Sequence, residues 1–440
     1  MDRSRAATIL SLALPIIGGM ASQNLFNLVD TAMVGRLGPA ALAGVGIASF
    51  ANFTCVAVVV GLSAGVQAMS ARRKGEGRIA ETAVPLNGGL IIALGLSLPL
   101  SAALIWAVPR LFPLLNADPA VIAEGVPYFE ARLVAMAAVG INFAFRGFWN
   151  GIGQSGVYLR TLLVMHACNI VLDYVLIFGA FGAPRLGTLG AGIGTAVATY
   201  VGAGTYLWLA WRRARANGFL HRVPRRATML TMLRLAIPSS TQQLFFSAGF
   251  TVLFWIVGLV GTAEVAAANV LINVMLVAIL PGLGFGLAAA SLVGQALGAG
   301  DAADARRWGW DVVKVAAATV AVLGLPMLAF PDAILGVFLR EPETLALARL
   351  PLRLVGATIA IEAVAMVLMN ALLGAGAARQ VMVVSITLQW LAFLPLAWLV
   401  GPGLGYGLLG IWALQVVYRA VQALVLTGLW RRGRWAEIVV

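Results

Sequence analysis

The stretch QNLFNLVDTAMVGRLGPAALAG, residues 23–44, contains the features that decide the fold. Its first part is an apolar segment that carries Gln23, Asn27 and Asp30 at positions i, i+4 and i+7, which share one face of a helix. Glycine, proline and Arg36 separate this segment from another apolar segment, which begins near Leu42. The stretch therefore predicts two helices, the first with a polar face that is unsuited to contact with lipid.

The rest of the chain is similarly apolar. Of its 440 residues, 61% are hydrophobic and only 11% are charged, and the mean hydropathy is +0.94. Since roughly a quarter of the residues of a soluble domain are charged, this composition excludes a water-soluble globular protein and predicts an all-α polytopic membrane protein. The net charge of +13 comes from basic residues in short loops, so it indicates membrane orientation rather than nucleic-acid binding.

Twelve apolar segments are long enough to span a membrane, at a minimum of about 20 residues each. They begin near Ala6, Leu42, Ala83, Val121, Val157, Thr188, Met229, Val265, Val312, Leu347, Val381 and Leu404. If the N-terminus is cytoplasmic, twenty basic residues lie on the cytoplasmic side and six lie in the opposite loops. The positive-inside rule then predicts a multi-pass protein of the cell (inner) membrane with both termini in the cytoplasm.

The chain also contains an internal repeat. An offset of 223 residues aligns proline with proline and glycine with glycine, for example Pro15 with Pro238, Gly61 with Gly284, and Gly151 with Gly374. A constant offset over many such pairs indicates a duplication. We predict a six-helix lobe at 1–211, a cytoplasmic linker at 212–228 and a second six-helix lobe at 229–440. A pseudo-two-fold axis along the membrane normal would relate the lobes, and rocking of one against the other would give alternating access.

The sequence lacks the usual catalytic and metal-binding motifs. Neither Cys55 nor Cys168 belongs to a Cys-x-x-Cys motif, and the two histidines lie far apart. The only lysines, Lys74 and Lys314, follow arginine and valine, so neither belongs to a Gly-Lys-Ser/Thr phosphate-binding loop. We therefore expect no enzymatic activity, and no cofactor other than a coupling ion.

A second polar face lies on the fifth predicted span, where His166, Asn169 and Asp173 fall at i, i+3 and i+7. An ionisable residue in a span costs about 2.5 to 3.5 kcal/mol, so each is a candidate functional residue. If Asp30 and Asp173 share a poorly solvated pocket, they should not both stay ionised, and the pair would act as a proton-release switch. Alternatively, carboxylate, amide and hydroxyl oxygens there would bind Na⁺. The sequence does not choose between these ions.

Other polar and flexible residues are candidates for the substrate cavity. Glu362 lies well inside the tenth span, where it serves coupling or substrate recognition or forms a structural ion pair. His166 either relays a proton or joins two helices through hydrogen bonds. The set that we assign to the cavity is Gln23, Asn27, His166, Gln242, Asn273, Glu362 and Met366.

Four segments resemble the multidrug and toxic compound extrusion (MATE) transporters. They are NLFNLVDTAMVGRLGPAALAG from Asn24, GLVGTAEVAAANVLINV from Gly258, SLVGQALGAGDAADARR from Ser291 and RGFWNGIGQSG from Arg146. The last of them further resembles the DNA-damage-inducible (DinF-like) branch. This resemblance implies rocker-switch efflux of amphipathic, often cationic compounds in exchange for H⁺ or Na⁺. It also implies an N-lobe cation site at Asp30, Asn169 and Asp173, completed by a threonine of the sixth span. Thr195 is the best match for that threonine, and Thr199 is the alternative.

A lipid-linked oligosaccharide or lipid flippase of the same superfamily is the alternative function. Such a protein needs arginines that face the cavity and bind pyrophosphate. The candidates, Arg132 and Arg234, lie near predicted helix ends, where their side chains reach the membrane surface. The partners that we expect are therefore a small amphipathic or cationic substrate and membrane lipid, without nucleic acid, and the protein is expected to be a monomer.

Overall fold

The computed structural model describes residues 2–440, and within this range the chain forms helices and short connections without a β-strand. The helices are α1 (Arg3–Gly35), α2 (Pro39–Gly75), α3 (Val84–Leu115), α4 (Pro119–Val134), α5 (Met136–Gly151), α6 (Ser155–Phe178), α7 (Thr188–Arg213), α8 (Arg226–Val260), α9 (Thr262–Gly298), α10 (Ala302–Ala329), α11 (Pro331–Leu335), α12 (Pro342–Gly374), α13 (Ala378–Ile386), α14 (Leu394–Trp398) and α15 (Gly407–Arg432). Short 3₁₀ turns lie at Ile79–Glu81, Ala180–Gly182 and Arg434–Glu437.

The helices follow the predicted spans in order along the chain. In residues 2–440, ten helical segments are long and apolar enough to cross a membrane, and α4 and α5, which meet at a bend of 49°, form an eleventh. α7 lies where the sixth span is predicted, but it is less apolar than these eleven and is not among them, since its 26 residues include five glycines. Large apolar side chains such as Trp106, Trp255 and Leu391 are exposed, as expected for helices in contact with lipid.

Two spans differ from the prediction in detail. The predicted start of the ninth span near Val312 is too late, because α10 begins at Ala302. The Asp301 carboxylate caps α10 by accepting a hydrogen bond from the backbone N–H of Asp304 at 2.7 Å, so a polar stretch joins the helix before its apolar part. The eleventh span contains π-helical turns at Thr387–Phe393 and Leu399–Gly403, near prolines 395 and 402, which lack the N–H of a regular helix.

The contacts divide the described chain into two compact units. Residues 18–240 form one, here named the N-unit, and residues 2–17 with 241–440 form the other, the C-unit. The division falls inside α1 and α8, shortly after Pro15 and Pro238, at positions that are equivalent in the internal repeat. The predicted lobe boundaries at 1–211 and 229–440 stay a prediction.

Close helix packing explains why both units need glycine at equivalent positions. In the N-unit Gly61 of α2 lies against Ser240 of α8, with no room for a Cβ atom. In the C-unit Gly284 of α9 lies in the same way against Ile17 of α1. These positions are related by the repeat offset, so the same contact occurs once in each unit. A second repeated contact joins Gly151 to Gln67 in the N-unit and Gly374 to Ala290 in the C-unit.

The predicted linker is short and packs onto the N-unit. Its residues between α7 and α8 contact Asn87 of α3, whose Nδ2 donates to the carbonyl oxygens of Gly218 and Arg222, each at 2.9 Å. The Asn87 Oδ1 accepts a hydrogen bond from the backbone N–H of Leu220 at 3.0 Å. Three hydrogen bonds from one buried asparagine therefore fix the linker to the start of α3.

Candidate functional site

The two acids that the sequence selects meet inside the N-unit. Asp30 of α1 and Asp173 of α6 lie within hydrogen-bonding reach of one another. Asp173 is fully buried and Asp30 is half-buried. Neither oxygen of Asp173, nor Oδ1 of Asp30, has a well-aligned hydrogen bond to a residue in the described range. Because two ionised carboxylates this close together in a poorly solvated place would repel each other, a proton or a cation between them would stabilise the pair.

Asn169 and Thr195 form a neutral polar wall next to the acid pair. Asn169 lies one helical turn before Asp173 on α6, and its Nδ2 donates to the Thr195 Oγ1 of α7 at 3.4 Å. The Thr195 hydroxyl donates to the Ala191 carbonyl oxygen at 3.0 Å, while the Thr199 hydroxyl donates to the Thr195 carbonyl oxygen at 2.7 Å. Of the two candidate threonines, Thr195 is therefore the one that contacts Asn169.

A glycine allows α7 to lie close to the acid pair. A Cβ atom on Gly194 would collide with the Asp173 Oδ1, so only glycine leaves space for the carboxyl group in this position. The site thus combines two carboxyl groups with the amide of Asn169 and the hydroxyl of Thr195. Within residues 2–440 no three His, Cys, Asp or Glu side chains form a group fit for a metal ion. Sodium at this site would therefore need the amide and hydroxyl oxygens as ligands as well.

His166 connects α6 to the polar face of α1. Its Nε2 lies 3.0 Å from the Gln23 Oε1, and its Nδ1 lies 3.1 Å from the Ser22 Oγ. The imidazole also stacks on Phe26, with ring centroids 5.2 Å apart. Gln23 in turn donates from its Nε2 to the Oδ1 of Asn27, an exposed residue, at 3.1 Å. These contacts bring His166, Gln23 and Asn27 into one hydrogen-bonded cluster on the same two helices as the acid pair.

The His166 cluster leads to a test of its role. We expect His166→Leu to lower the free energy of unfolding by about 1–3 kcal/mol, because the Gln23 Oε1 and the Ser22 Oγ each lose their hydrogen bond to the imidazole. We expect His166→Gln to retain transport, since an amide can hydrogen-bond to either residue but cannot carry a proton. Thermal unfolding in detergent and transport in vesicles would measure the two effects. Loss of proton-driven transport in a stable His166→Gln variant would instead assign His166 to proton transfer.

A positively charged residue, Arg132, also lies near the acid pair, which the sequence does not predict. It acts electrostatically on both Asp30 and Asp173, and its Nη1 donates to the Tyr128 hydroxyl at 3.3 Å. From the sequence, Arg132 is expected at a helix end from which its side chain reaches the membrane surface. It does lie in the last turn of α4, but the chain continues directly into α5, so this end lies inside a bent span. Arg234, the other arginine considered, is exposed.

The cavity residues predicted in the second half belong to the C-unit, and each has hydrogen-bond or packing partners of its own. Gln242 donates from its Nε2 to the Ser385 Oγ at 3.3 Å. Asn273 is exposed and donates to the Asn269 Oδ1 at 2.9 Å, and Met366 packs beside Gly282. Among the described residues no hydrogen bond joins Gln242, Asn273 and Glu362 to one another.

Glu362 forms an ion pair with Arg419, a partner that the sequence does not identify. Its Oε1 lies 3.2 Å from the Nε of Arg419 on α15, in an ion pair whose side chains are 6% and 15% exposed. The Arg419 Nη1 donates to the Gln422 Oε1 at 3.1 Å. Nothing in the spacing of the two residues links the tenth span to the twelfth, so the only signal in the sequence was the rarity of charge in a span.

Comparisons with known proteins agree with the fold and with the repeat. A profile of the MatE family matches residues 15–175 and 238–399, two ranges that start at the offset of the internal repeat. The multidrug resistance protein NorM of Burkholderia vietnamiensis is 31% identical over 368 residues, covering 78% of this chain and 75% of that protein. The "Probable multidrug resistance protein NorM" of Thermotoga maritima is 27% identical over 439 residues, covering 96% of this chain and 93% of that protein.

A structural comparison gives the same result. The outward-facing structure of a multidrug resistance MATE family transporter of the MOP superfamily has a TM-score of 0.88 and 22% identity, covering 98% of this chain and 96% of that chain. This likeness confirms the predicted all-α polytopic fold. Since the family profile covers each half of the sequence once and the relatives extend over most of its length, this multi-pass membrane protein belongs to the MatE family of transporters.

Proposed function

We propose that the protein is a secondary active multidrug efflux antiporter that exports amphipathic, often cationic compounds in exchange for H⁺ or Na⁺. The observation that carries this proposal is the buried contact of Asp30 with Asp173, beside Asn169 and Thr195. A carboxylate pair of this kind can hold one positive charge and release it. The names of the two relatives, both multidrug resistance proteins, support the choice of substrate class.

Coupling in this proposal follows from the energetics of the acid pair. With a proton or Na⁺ bound, the two carboxyl groups attract the shared charge, and without it they repel each other. Occupancy therefore favours one arrangement of α1 against α6, and loss of the ion favours another. Because α1 continues through Pro15 into the C-unit, its arrangement is suited to bias an equilibrium between inward-open and outward-open states.

Membrane placement forms part of the same proposal. We propose an inner-membrane protein that works as a monomer, with two six-helix lobes and both termini in the cytoplasm. The excess of basic residues in the loops on one side supports this orientation. The contacts of Arg212 with Trp208, of Arg215 with Trp211 and of Arg5 with Trp308 favour a position of these arginines at a membrane interface. Membership of the DinF-like branch stays a prediction.

Efflux driven by one ion at a time tests the proposal. Purified protein is reconstituted in vesicles and transports a cationic dye under a proton gradient alone or a sodium gradient alone. We expect one of the two gradients to drive transport by the wild type, and Asp30→Asn and Asp173→Asn to lower the ion-driven rate by about tenfold or more. The control is Glu130→Gln, which removes one carboxylate from α4 in the same unit and should leave the rate unchanged.

Two results would contradict the proposal. If neither gradient drives transport by the wild type, the protein is not an H⁺ or Na⁺ antiporter for that class of dye. If the driven rate survives in both Asp variants, the acid pair is not the coupling site, whichever ion is used.

A further inference from the structure

A basic cavity lies on the C-unit where α1 and α10 begin. It has a volume of about 740 Å³ and opens to the surface. Four cationic side chains line it, together with Trp310, Asp311, Ala302 and Ala303; these four are Arg5, Arg306, Arg307 and Lys314. The antiport mechanism uses none of these residues, so the cavity needs a separate explanation.

The cations of this cavity are not neutralised by the acids beside them. Arg5 forms ion pairs with both nearby carboxylates. Its Nη1 donates to the Asp304 Oδ1 at 2.6 Å, and its Nε donates to the Asp311 Oδ2 at 2.7 Å. Lys314 is 66% exposed, and its Nζ lies 3.8 Å from the Asp311 Oδ1, beyond hydrogen-bond distance.

Arg306 and Arg307 are exposed, and neither forms an ion pair with any described residue. The cavity therefore keeps a net positive charge that no side chain of the described chain compensates.

The position of the cavity along α10 places it at the membrane surface. Lys314 is the last charged residue of α10, and an apolar segment follows it to the end of the helix. Trp308 and Trp310 lie between the arginines and Lys314, and the Arg5 guanidinium stacks over the Trp308 ring at 3.7 Å. Tryptophan at the border of an apolar segment marks the level of lipid headgroups. The cavity therefore lies at the level of the headgroups rather than of the hydrocarbon region.

Rigid packing supports one wall of the cavity. Gly309 of α10 lies against the Trp430 ring of α15, with no room for a Cβ atom. Trp430 stacks on Trp435 with ring centroids 4.0 Å apart, so the end of the chain folds back over α15. This packing also places the Arg431 guanidinium 5.9 Å from the Trp310 ring, which adds a further cation at the edge of the cavity.

We infer that this cavity binds the phosphate headgroup of an anionic phospholipid. Arginine guanidinium groups such as those of Arg306 and Arg307 match the oxygens of a phosphate, and Lys314 adds a mobile point charge. The Trp310 ring lies where the glycerol region of a lipid begins. Basic cavities between helices at the cytoplasmic surface are suited to anionic headgroups, because the surrounding leaflet presents them at high local concentration.

The chain offers a control with matched charge. Arg212, Arg213 and Arg215 are exposed cations at the end of α7, and two of them stack on tryptophans as Arg5 does. They do not line the cavity. Replacing three arginines there removes the same charge as replacing Arg306, Arg307 and Lys314. Any general electrostatic attraction to anionic lipid is therefore lost equally from the two triple variants.

Lipid retention tests the inference. The protein is reconstituted in nanodiscs with phosphatidylglycerol and phosphatidylcholine in equal amounts, and native mass spectrometry counts the lipids that stay bound. We expect the wild type and the Arg212→Gln, Arg213→Gln, Arg215→Gln variant to retain phosphatidylglycerol in preference. We expect Arg306→Gln, Arg307→Gln, Lys314→Gln to weaken that retention by more than about tenfold, and Lys314→Gln alone by about fivefold. The single variant covers the case in which the triple variant does not fold.

Soluble phosphates distinguish the source of the ligand. Inorganic phosphate and glycerol 1-phosphate are added to protein in nanodiscs that contain only phosphatidylcholine. We expect neither to bind at millimolar concentration, because neither is concentrated at the membrane surface. Binding of either with the affinity of phosphatidylglycerol would overturn the assignment to a lipid. Equal retention of phosphatidylglycerol by the wild type and by the Lys314→Gln variant, with no loss in a folded triple variant, would overturn the site itself.

Discussion

Replacing Gly194 with alanine is expected to lower ion-driven transport by about tenfold or more. The added Cβ would collide with the Asp173 Oδ1 and would lie 3.2 Å from the Asp173 backbone nitrogen. The carboxyl group must then rotate away from α7 into a new position relative to Asp30. Because the interaction of two charged groups with a shared ion depends steeply on distance, the pair holds its proton or Na⁺ less tightly.

Gly204→Ala is the matched control for this variant. Gly204 lies on the same helix, and a Cβ atom there would meet no atom within 4 Å. Both substitutions raise helix propensity by the same amount, about 1 kcal/mol, so only the contact with Asp173 differs. Initial rates of dye transport in vesicles measure the effect, and thermal unfolding in detergent shows that both proteins fold. Equal rates in the two alanine variants would show that the position of the Asp173 carboxyl group does not control coupling.

The sequence is sufficient to predict the helices and the polar faces because both depend on local periodicity. Asp30 falls on one face with Gln23, and Asp173 falls on one face with His166 and Asn169, whatever the tertiary structure is. A polar face in lipid must turn inward, so the contact between the two faces could also be anticipated. The structure brings all of these residues onto adjoining surfaces of α1 and α6.

Contacts between distant segments could not be predicted in this way. Arg419 is one of many basic residues in the sequence, and only the packing of α15 on α12 makes it the partner of Glu362. The position of Arg132 depends on the bend between α4 and α5. The bend lies at Ala135, and since this residue is neither proline nor glycine, the sequence does not predict it. The start of α10 was predicted too late because hydropathy alone does not assign charged residues to a span. Asp301 caps the first turn of this helix, so its charged residues are helical as well.

The division of the described chain into two units depends on contacts between distant segments. A duplication found by aligning residues suggests that each copy folds separately, and the predicted lobes follow that rule. In the structure residues 2–17 belong with residues 241–440, and Ile17 packs on Gly284 of α9. The contact is visible only when the two helices are placed side by side. The equivalent contact between Ser240 and Gly61 shows that both copies of the repeat make this contact.

Breaking the Glu362–Arg419 ion pair is expected to have the largest effect on stability. Glu362→Leu leaves the Arg419 guanidinium buried without a counterion, and Arg419→Leu leaves the Glu362 carboxylate in the same condition. Each single change should lower the free energy of unfolding by about 3–5 kcal/mol. The double variant has no unpaired charge and fills the space with two apolar side chains, so we expect its stability to return near that of the wild type. Denaturant unfolding in detergent measures all four proteins and gives the interaction energy.

The double variant also separates a structural ion pair from a substrate contact. A structural pair has no part in binding, so the double variant should export cationic and neutral compounds at wild-type rates once its stability is restored. A substrate contact predicts a stable double variant that loses export of cations alone, because the carboxylate that would attract them is gone. The observed ion pair favours the first result: Arg419 already lies 3.2 Å from Glu362, so a cationic compound would have to displace a guanidinium that also bonds to Gln422. Additive losses of stability in the two single variants, without recovery in the double, would show instead that the two side chains act independently.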